Sequence, residues 1–225
     1  MLISPSKNFV FVHIFKTAGT SVSDLFLPYS RLIEKVTYKY FLSKKLIAVY
    51  ARLFHLENEG QKFITGYHKH ATAKEISDSM GIENFEQKFS FCFVRNPYDH
   101  MVSLYYYIRQ SRGHYLHSEA NSMSFDVFIK HYLTTHPQKQ ADFVYFGNKK
   151  MVTYVGKFER LEDDLIEICQ KVGVTYKKIP HSNASKRSKN SRVYFTSQEV
   201  LNQFNAYFKD DFEHFDYQKM VLNES

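Results

Sequence analysis

The sequence contains no tryptophan, only two cysteines and no long apolar run among its 225 residues. Two cysteines, Cys92 and Cys169, are too few for a disulfide framework or a zinc cluster. No apolar stretch approaches the ~20 residues that a membrane-spanning helix needs. The apolar run near the start, residues 8–15, contains His13 and lacks a small-residue cleavage site, so we do not expect a signal peptide. These absences favour a soluble, intracellular, reduced protein.

The composition is that of a folded chain. Hydrophobic residues make up 44% of the sequence, charged residues 24% and aromatic residues 17%, which excludes a wholly disordered protein. A chain of this length supplies enough apolar material for a sizeable core. No internal repeat, low-complexity tract or linker interrupts it, so we expect residues 1–225 to form a single domain.

The formal net charge of +7 is concentrated in two segments. Residues 35–52 and residues 177–192 carry basic side chains and no acidic ones. Such clusters are either solvated surface segments or contacts for an anionic partner. A basic nucleic-acid-binding module is one open interpretation, although neither segment shows the aromatic interleaving or the finger and helix-turn-helix signatures of that class.

Strand-like and helix-like segments alternate along the chain, which predicts an α/β domain with a largely parallel sheet. Short apolar runs bounded by turn residues indicate strands over 9–14, 62–67, 89–94 and 151–158. Amphipathic spacing and end signals indicate helices over 21–27, 31–54, 71–80, 97–109, 125–133, 161–172 and 197–208. The polar segments over 113–121 and 180–192 are expected to be loops.

The segment Lys16-Thr-Ala-Gly-Thr-Ser21 lies between a predicted strand and a predicted helix, and this is where an anion can be bound. A tight loop allows backbone N–H groups to converge, and the helix N-terminus adds positive potential. Lys16 supplies a mobile charge, and the hydroxyls of Thr17, Thr20 and Ser21 supply donors. In a Walker A loop the lysine follows the glycines, whereas here it precedes Gly19. An ordinary strand-to-helix turn and a P-loop nucleotide kinase or hydrolase therefore remain alternatives.

Two segments resemble the carbohydrate-type (family 2) sulfotransferases. His13-Ile-Phe-Lys-Thr-Ala-Gly-Thr-Ser21 is similar to their 5′-phosphosulfate loop, H-I-P-K-T-A-G-T-S, with Phe15 in place of proline. The segment from Phe91 to Tyr105 is similar to their 3′-phosphate segment, F-V-R-[ND]-P-x-x-R-x-x-S. The resemblance implies that the donor is held by Lys16, Thr17, Ala18, Gly19, Thr20 and Ser21 and by Arg95 and Ser103. It also places His100 where the family commonly has arginine.

A pair of histidines, His68 and His70, lies between these two segments. Taken alone, His-x-His is a metal half-site or two surface histidines, and no third ligand of suitable spacing occurs nearby, so we expect no metal. In the glycan O-sulfotransferases that the sequence resembles, a histidine here is the general base. Histidine suits that role because its reference pKa lies near ~6.5. We predict His70 as the base, with His68 orienting the acceptor or acting as the alternate base.

Two later segments resemble the same family less specifically. The segment from Pro180 to Asn190 is similar to its H-x-N-x-S loop, which implies that Lys186 or Arg187 approaches the 3′-phosphate. The segment from Tyr207 to Tyr217 is similar to its terminal aromatic motif and is expected to be packing.

The resemblance thus implies a P-loop-like three-layer α/β domain, similar to the heparan and uronyl O-sulfotransferases. The expected activity is transfer of a sulfuryl group from 3′-phosphoadenosine-5′-phosphosulfate to a hydroxyl, with His70, Lys16 and His68 as catalytic residues and no metal. The expected acceptor is an oligosaccharide, polysaccharide or lipid-linked sugar, not a nucleic acid. Because the chain lacks a predicted membrane segment, we expect a bacterial cytoplasmic enzyme that works in solution or at the membrane surface.

Overall fold

A computed structural model of the chain describes residues 1–32, 34–35, 68–179 and 190–222. These residues belong to two compact units. The first comprises Met1–Val94 and Asp142–Ser182, and the second comprises Arg95–Ala141 and Asn183–Ser225.

Three predicted elements lie wholly or largely outside the described residues: the helix over 31–54, the strand over 62–67 and the loop over 180–192. The single domain over 1–225 stays a prediction.

The described elements, in chain order, are six strands and a series of helices. The strands are β1 (Leu2–Ser4), β2 (Phe9–Val12), β3 (Phe89–Val94), β4 (Tyr145–Phe146), β5 (Lys149–Lys150) and β6 (Tyr154–Lys157). The helices are α1 (Gly19–Phe26), α2 (Ala73–Met80), α3 (Ile82–Glu86), α4 (Pro97–Gln110), α5 (His117–Ser122), α6 (Phe125–Thr134), α7 (Gln140–Val144), α8 (Leu161–Val172), α9 (Gln198–Tyr207) and α10 (Lys209–His214). Short 3-10 turns follow α1 and β6 and precede α9.

The first unit is built on a four-stranded sheet in the order β1-β2-β3-β6. β2, β3 and β6 run parallel, with Phe11 opposite Phe91 and Phe91 opposite Tyr154. β1 adds an antiparallel edge strand, with Leu2 opposite Phe11. Parallel strands put their carboxyl ends at one edge of a sheet, which is where α/β folds bind ligands. The chain is therefore mixed α/β with a mostly parallel sheet flanked by helices, and the predicted fold class is confirmed.

One face of this sheet is aromatic, and helices cover it. Phe9, Phe11, Phe91 and Phe93 alternate along β2 and β3, and all four are fully buried. The Phe11 and Phe91 rings lie 5.1 Å apart. Apolar residues of α1 and α8 complete the cluster, among them Val22, Phe26, Leu165, Ile168 and Cys169. This packing fixes α1, and with it the loop that precedes it, against the carboxyl end of β2.

The second unit is helical and is centred on Tyr98 of α4. The Tyr98 ring packs against Phe195 at 5.2 Å, Phe204 at 5.4 Å and Phe212 at 5.0 Å between centroids. The Tyr98 hydroxyl donates to Asn205 Oδ1 and accepts from the Met220 N–H at 2.8 Å. The terminal aromatic segment, including the buried Phe212, packs as the sequence predicted.

Some elements differ from the sequence predictions, and the physical reasons are local. The predicted loop over 113–121 contains the start of α5, which has no side-chain N-cap and is anchored by the buried Leu116 and Ala120. The edge strand β1 and the β4–β5 hairpin are only two or three residues long, too short to leave a periodic signal. The fourth predicted strand, over 151–158, is shortened to Tyr154–Lys157.

Gly156 of β6 faces a ring that cannot move aside. A Cβ at this position would lie 2.5 Å from Phe93 Cε1, and Phe93 is fully buried. Gly156→Ala should therefore lower the free energy of unfolding by ~1–3 kcal/mol, measured by urea denaturation. Gly113→Ala is the matched control, because nothing lies within 4 Å of a Cβ there. Equal losses in the two variants would contradict this packing.

Candidate active site

The loop between β2 and α1 has an unusual backbone. Lys16 has a φ of 62° and Ala18 a φ of 64°, in the left-handed region that non-glycine residues seldom adopt. Between them Thr17 is fully buried, and its hydroxyl donates to the Ile14 carbonyl at 2.9 Å. This hydrogen bond closes the loop into a tight turn immediately before the first turn of α1.

The start of α1 has the chemistry of an anion site. Ala18 is the N-cap residue and offers no side-chain cap, and the first turn contains no acidic residue. The first N–H groups of any helix lack intrahelical acceptors, and the helix dipole adds positive potential there. Lys16, half-buried in the same loop, adds a full positive charge. An anionic group is therefore favoured at this loop.

Gly19, the first residue of α1, lies directly against the His13 ring. A Cβ on residue 19 would be only 1.9 Å from His13 Nε2, so glycine is required by this close approach. His13 itself is buried, and burial holds the pKa of its imidazole well below the usual range. The neutral His13 ring thus packs as part of the wall beneath the loop.

His70 is hydrogen-bonded to the main chain of His13. Its Nδ1 is 2.8 Å from the His13 carbonyl oxygen, and because a carbonyl can only accept, Nδ1 must carry the ring proton and donate it. The neutral imidazole therefore keeps its lone pair on Nε2. The His70 ring also packs edge-on against His13, at 4.7 Å between centroids, and against Phe15 at 6.1 Å.

A turn and a capped helix hold His70 in this position. The Ala71 N–H donates to the His68 carbonyl at 3.2 Å, which closes the turn containing His70. α2 begins two residues later with a reciprocal capping box: Thr72 Oγ1 accepts from the Glu75 N–H, and Glu75 Oε2 accepts from the Thr72 N–H. The helix predicted over 71–80 is observed over Ala73–Met80, and its cap anchors the histidine turn.

The environment of His70 keeps it neutral. Burial lowers the pKa of His70 to about 4, partly offset by the hydrogen bond to His13, and the Lys69 charge lowers it further. At neutral pH the ring is therefore an unprotonated imidazole whose free nitrogen can accept a proton.

The structure brings most of the predicted site residues of the first unit together. The loop residues Lys16 to Ser21 precede or open α1, and His70 contacts His13 and Phe15 beside them. His68 lies two residues away and is half-buried.

The other predicted site residues lie in the second unit or outside the described residues. Arg95 directly follows β3 and Ser103 lies on α4, both in the second unit. Lys186 and Arg187 lie outside the described residues.

Sequence reasoning missed the contacts of three residues, one in the first unit and two in the second. His13 was part of the motif, but no signal showed that its carbonyl orients His70. In the second unit, Gln140 hydrogen-bonds the Arg95 backbone, and Asp211 hydrogen-bonds the Gln140 backbone. The first contact joins residues that are 45 positions apart in the sequence, and the second joins residues that are 71 positions apart. Local patterns could therefore not reveal either contact.

Two absences hold for the part of the chain that the structure describes. There, no group of three or more histidine, cysteine or acidic side chains is arranged to hold a metal ion. No helix among the same residues is long and apolar enough to cross a membrane. Cys92 and Cys169 are both buried and free, and burial raises the pKa of each thiol.

The lowered pKa of His70 makes stability depend on pH. In the unfolded chain the ring protonates near ~6.5, whereas the folded pKa is about 4. Between these values the unfolded state binds more protons, so the free energy of unfolding should fall as the pH falls through this window. We expect His70 to contribute a loss of about 1–2 kcal/mol between pH ~7 and pH ~5, measured by urea denaturation. His13 acts in the same direction.

His70→Asn is the matched variant for this measurement. Its amide can still donate to the His13 carbonyl but does not titrate, so its stability should fall less over the same range. An identical pH dependence in the two proteins would contradict the assignment of a low pKa to His70.

Comparison with known proteins identifies the family. The family described as "Sulfotransferase family" matches residues 1–218 of the chain. An uncharacterized protein of Archaeoglobus fulgidus is similar, with 27% identity over 103 residues that cover 44% of this chain and 79% of that protein. No solved structure gives a significant match. Since the match spans almost the whole sequence, in agreement with the two motifs, this chain belongs to the sulfotransferase family, of the family 2 type, and its activity is sulfate transfer.

Proposed function

We propose that this protein transfers the sulfuryl group of 3′-phosphoadenosine-5′-phosphosulfate to a hydroxyl group of a sugar-containing acceptor. The observation that carries the proposal is the hydrogen bond from His70 Nδ1 to the His13 carbonyl, because His13 also packs on the first residue of α1. This hydrogen bond connects His70, the neutral histidine that we propose as the base, to the residue that packs against the proposed anion-binding loop. Bound there, the donor supplies an activated sulfuryl group on a phosphate leaving group.

The loop residues fit the phosphosulfate end of this donor. Lys16 and the backbone of Thr17 to Ser21 surround the helix N-terminus without an acidic side chain in the first turn. Their role is to neutralise the charge that develops on the departing 5′-phosphate. Donors of this kind, aimed at charge that appears in the transition state, are each worth about 10²–10³ in turnover.

His70 is the base that we propose for the acceptor hydroxyl. Its Nε2 lone pair takes the hydroxyl proton as the acceptor oxygen forms its bond to sulfur and the bond from sulfur to the phosphate oxygen breaks. A pKa of about 4 keeps the ring unprotonated in the free protein. An anion in the adjacent loop would raise that pKa, because negative charge favours the imidazolium form. The ring would then become a stronger base when the site is occupied.

The other roles rest on the resemblance. Arg95 and Ser103 are proposed to bind the 3′-phosphate, since an arginine fork and a hydroxyl suit a terminal phosphate. Lys186 or Arg187 is proposed to add a further contact. His68 is proposed to orient the acceptor, which the glycan enzymes suggest is an oligosaccharide, a polysaccharide or a lipid-linked sugar. The bacterial cytoplasmic location stays a prediction.

The proposal is tested by radiolabelled sulfate transfer from the donor to a panel of hydroxyl acceptors. His70→Asn should lower kcat by roughly 10²–10⁴-fold, the usual contribution of a general base, with the Kd of adenosine 3′,5′-bisphosphate nearly unchanged. His68→Asn is the control and should lose far less activity. Loss of bisphosphate affinity as large as the loss of kcat, or a larger defect in His68→Asn, would contradict the role of His70. Turnover of ATP with magnesium in place of sulfate transfer would instead favour a nucleotide kinase or hydrolase.

Gly19→Ala tests the loop in the same assay. The added Cβ must displace His13 or the loop, so the affinity for adenosine 3′,5′-bisphosphate should fall about tenfold or more, measured by calorimetry. Gly113→Ala is again the control for adding a methyl group. Unchanged affinity in a folded Gly19→Ala protein would remove this loop from the donor site.

A further inference from the structure

The backbone of Arg95 is held by a side chain rather than by a neighbouring strand. The Arg95 N–H donates to Gln140 Oε1 at 2.8 Å, and the Arg95 carbonyl accepts from Gln140 Nε2 at 2.8 Å. The carboxamide thus imitates a strand partner for one residue, immediately beyond the end of β3. Gln140 is 1% exposed, so its carboxamide is shielded from water.

Gln140 is fixed in turn by a buried carboxylate. Asp211 Oδ2 accepts from the Gln140 N–H at 3.1 Å, and Asp211 Oδ1 accepts from the Ala141 N–H at 2.7 Å. Gln140 is the first residue of α7, so Asp211 satisfies N–H groups that the helix cannot satisfy itself. Hydrogen bonds to a charged group are stronger than those between neutral groups. The carboxylate therefore fixes the turn from which the Gln140 side chain extends.

Asp211 is held by the aromatic centre of the second unit. It is 1% exposed, and its neighbour on α10, Phe212, packs against Tyr98 of α4. Tyr98 lies three residues beyond Arg95 on the same chain segment. The contacts therefore form a closed ring. It runs from Arg95 through α4 to α10, and then through Asp211 and Gln140 back to Arg95.

We infer that Gln140 and Asp211 are positioning residues that set the direction of the Arg95 side chain and so determine how well the protein distinguishes a ligand with a 3′-phosphate from one without it. This inference rests on the proposed role of Arg95 in the donor site. Two hydrogen bonds to one residue's main chain fix where its side chain begins. A long side chain turns a small backbone shift into a large displacement of its guanidinium group.

The chemistry of the carboxamide makes the inference testable with a nearly isosteric change. Gln140→Glu keeps the shape and the acceptor for the Arg95 N–H, but an ionised carboxylate has no N–H to donate to the Arg95 carbonyl. Asp211→Asn keeps one acceptor oxygen and replaces the other with a donor that faces a backbone N–H. Both changes alter this ring of contacts and leave the Arg95 side chain intact.

The experiment compares two probes by calorimetry, adenosine 3′,5′-bisphosphate and adenosine 5′-monophosphate, which lacks the 3′-phosphate. Gln140→Glu and Asp211→Asn should each weaken bisphosphate binding about tenfold and leave monophosphate binding unchanged. Ser197→Ala, which removes the N-cap of α9 in the same unit, controls for general destabilisation and should leave the ratio of the two affinities unchanged. An unaltered ratio in Gln140→Glu, or an equal loss for both probes, would overturn the inference.

The Arg95→Ala background separates this inference from the proposed function. If Arg95 binds the 3′-phosphate, Arg95→Ala alone lowers the preference for the bisphosphate, and adding Gln140→Glu lowers it no further. If Arg95→Ala leaves the preference unchanged, the proposed role of Arg95 is wrong. If Arg95→Ala lowers it but Gln140→Glu does not, the role of Arg95 stands and the positioning role is wrong.

Discussion

The hydrogen bond from His70 Nδ1 to the His13 carbonyl links the two parts of the candidate site in the first unit, which are the loop from Lys16 to Ser21 and His70 itself. The His13 side chain packs against Gly19, where the loop that begins at Lys16 becomes helix α1, and the His13 carbonyl selects the tautomer of His70. The ring of His13 thus shapes the loop, and its backbone carbonyl orients His70, the proposed base. A change at His13 or Gly19 would therefore disturb both proposed roles, anion binding by the loop and proton transfer by His70.

The sheet explains why this arrangement is stable. Aromatic residues along β2 and β3 pack against α1 and α8, so the loop is fixed at both ends by a dry core. The loop can then hold Lys16 and Ala18 in the left-handed region, a conformation that costs roughly 1–2 kcal/mol per residue. Backbone strain of this kind persists where the surrounding structure over-determines the conformation, and it is concentrated at functional sites.

Much of the fold was predictable because its signals are local. The helix predicted over 161–172 has the observed bounds, because its segment is amphipathic and begins with acidic residues. The strand over 89–94 was predicted in full because a run of buried apolar residues ends at Arg95. α5 was missed because it lacks a side-chain N-cap and depends on burial of Ala120, a tertiary effect.

The candidate site was predictable only in part, for a related reason. The loop from Lys16 to Ser21 and the histidine pair each occupy a short segment and could be found from residue types alone. The orientation of His70 depends on a residue 57 positions away, and spacing cannot reveal such a contact.

The most direct test of the proposed site is an NMR titration of the His70 imidazole with and without adenosine 3′,5′-bisphosphate. We expect a pKa of about 4 in the free protein and a clear rise towards the ordinary value near ~6.5 in the complex, because a bound anion favours the imidazolium form. A His70 pKa that saturating bisphosphate leaves unchanged would contradict a shared site for the loop and the base.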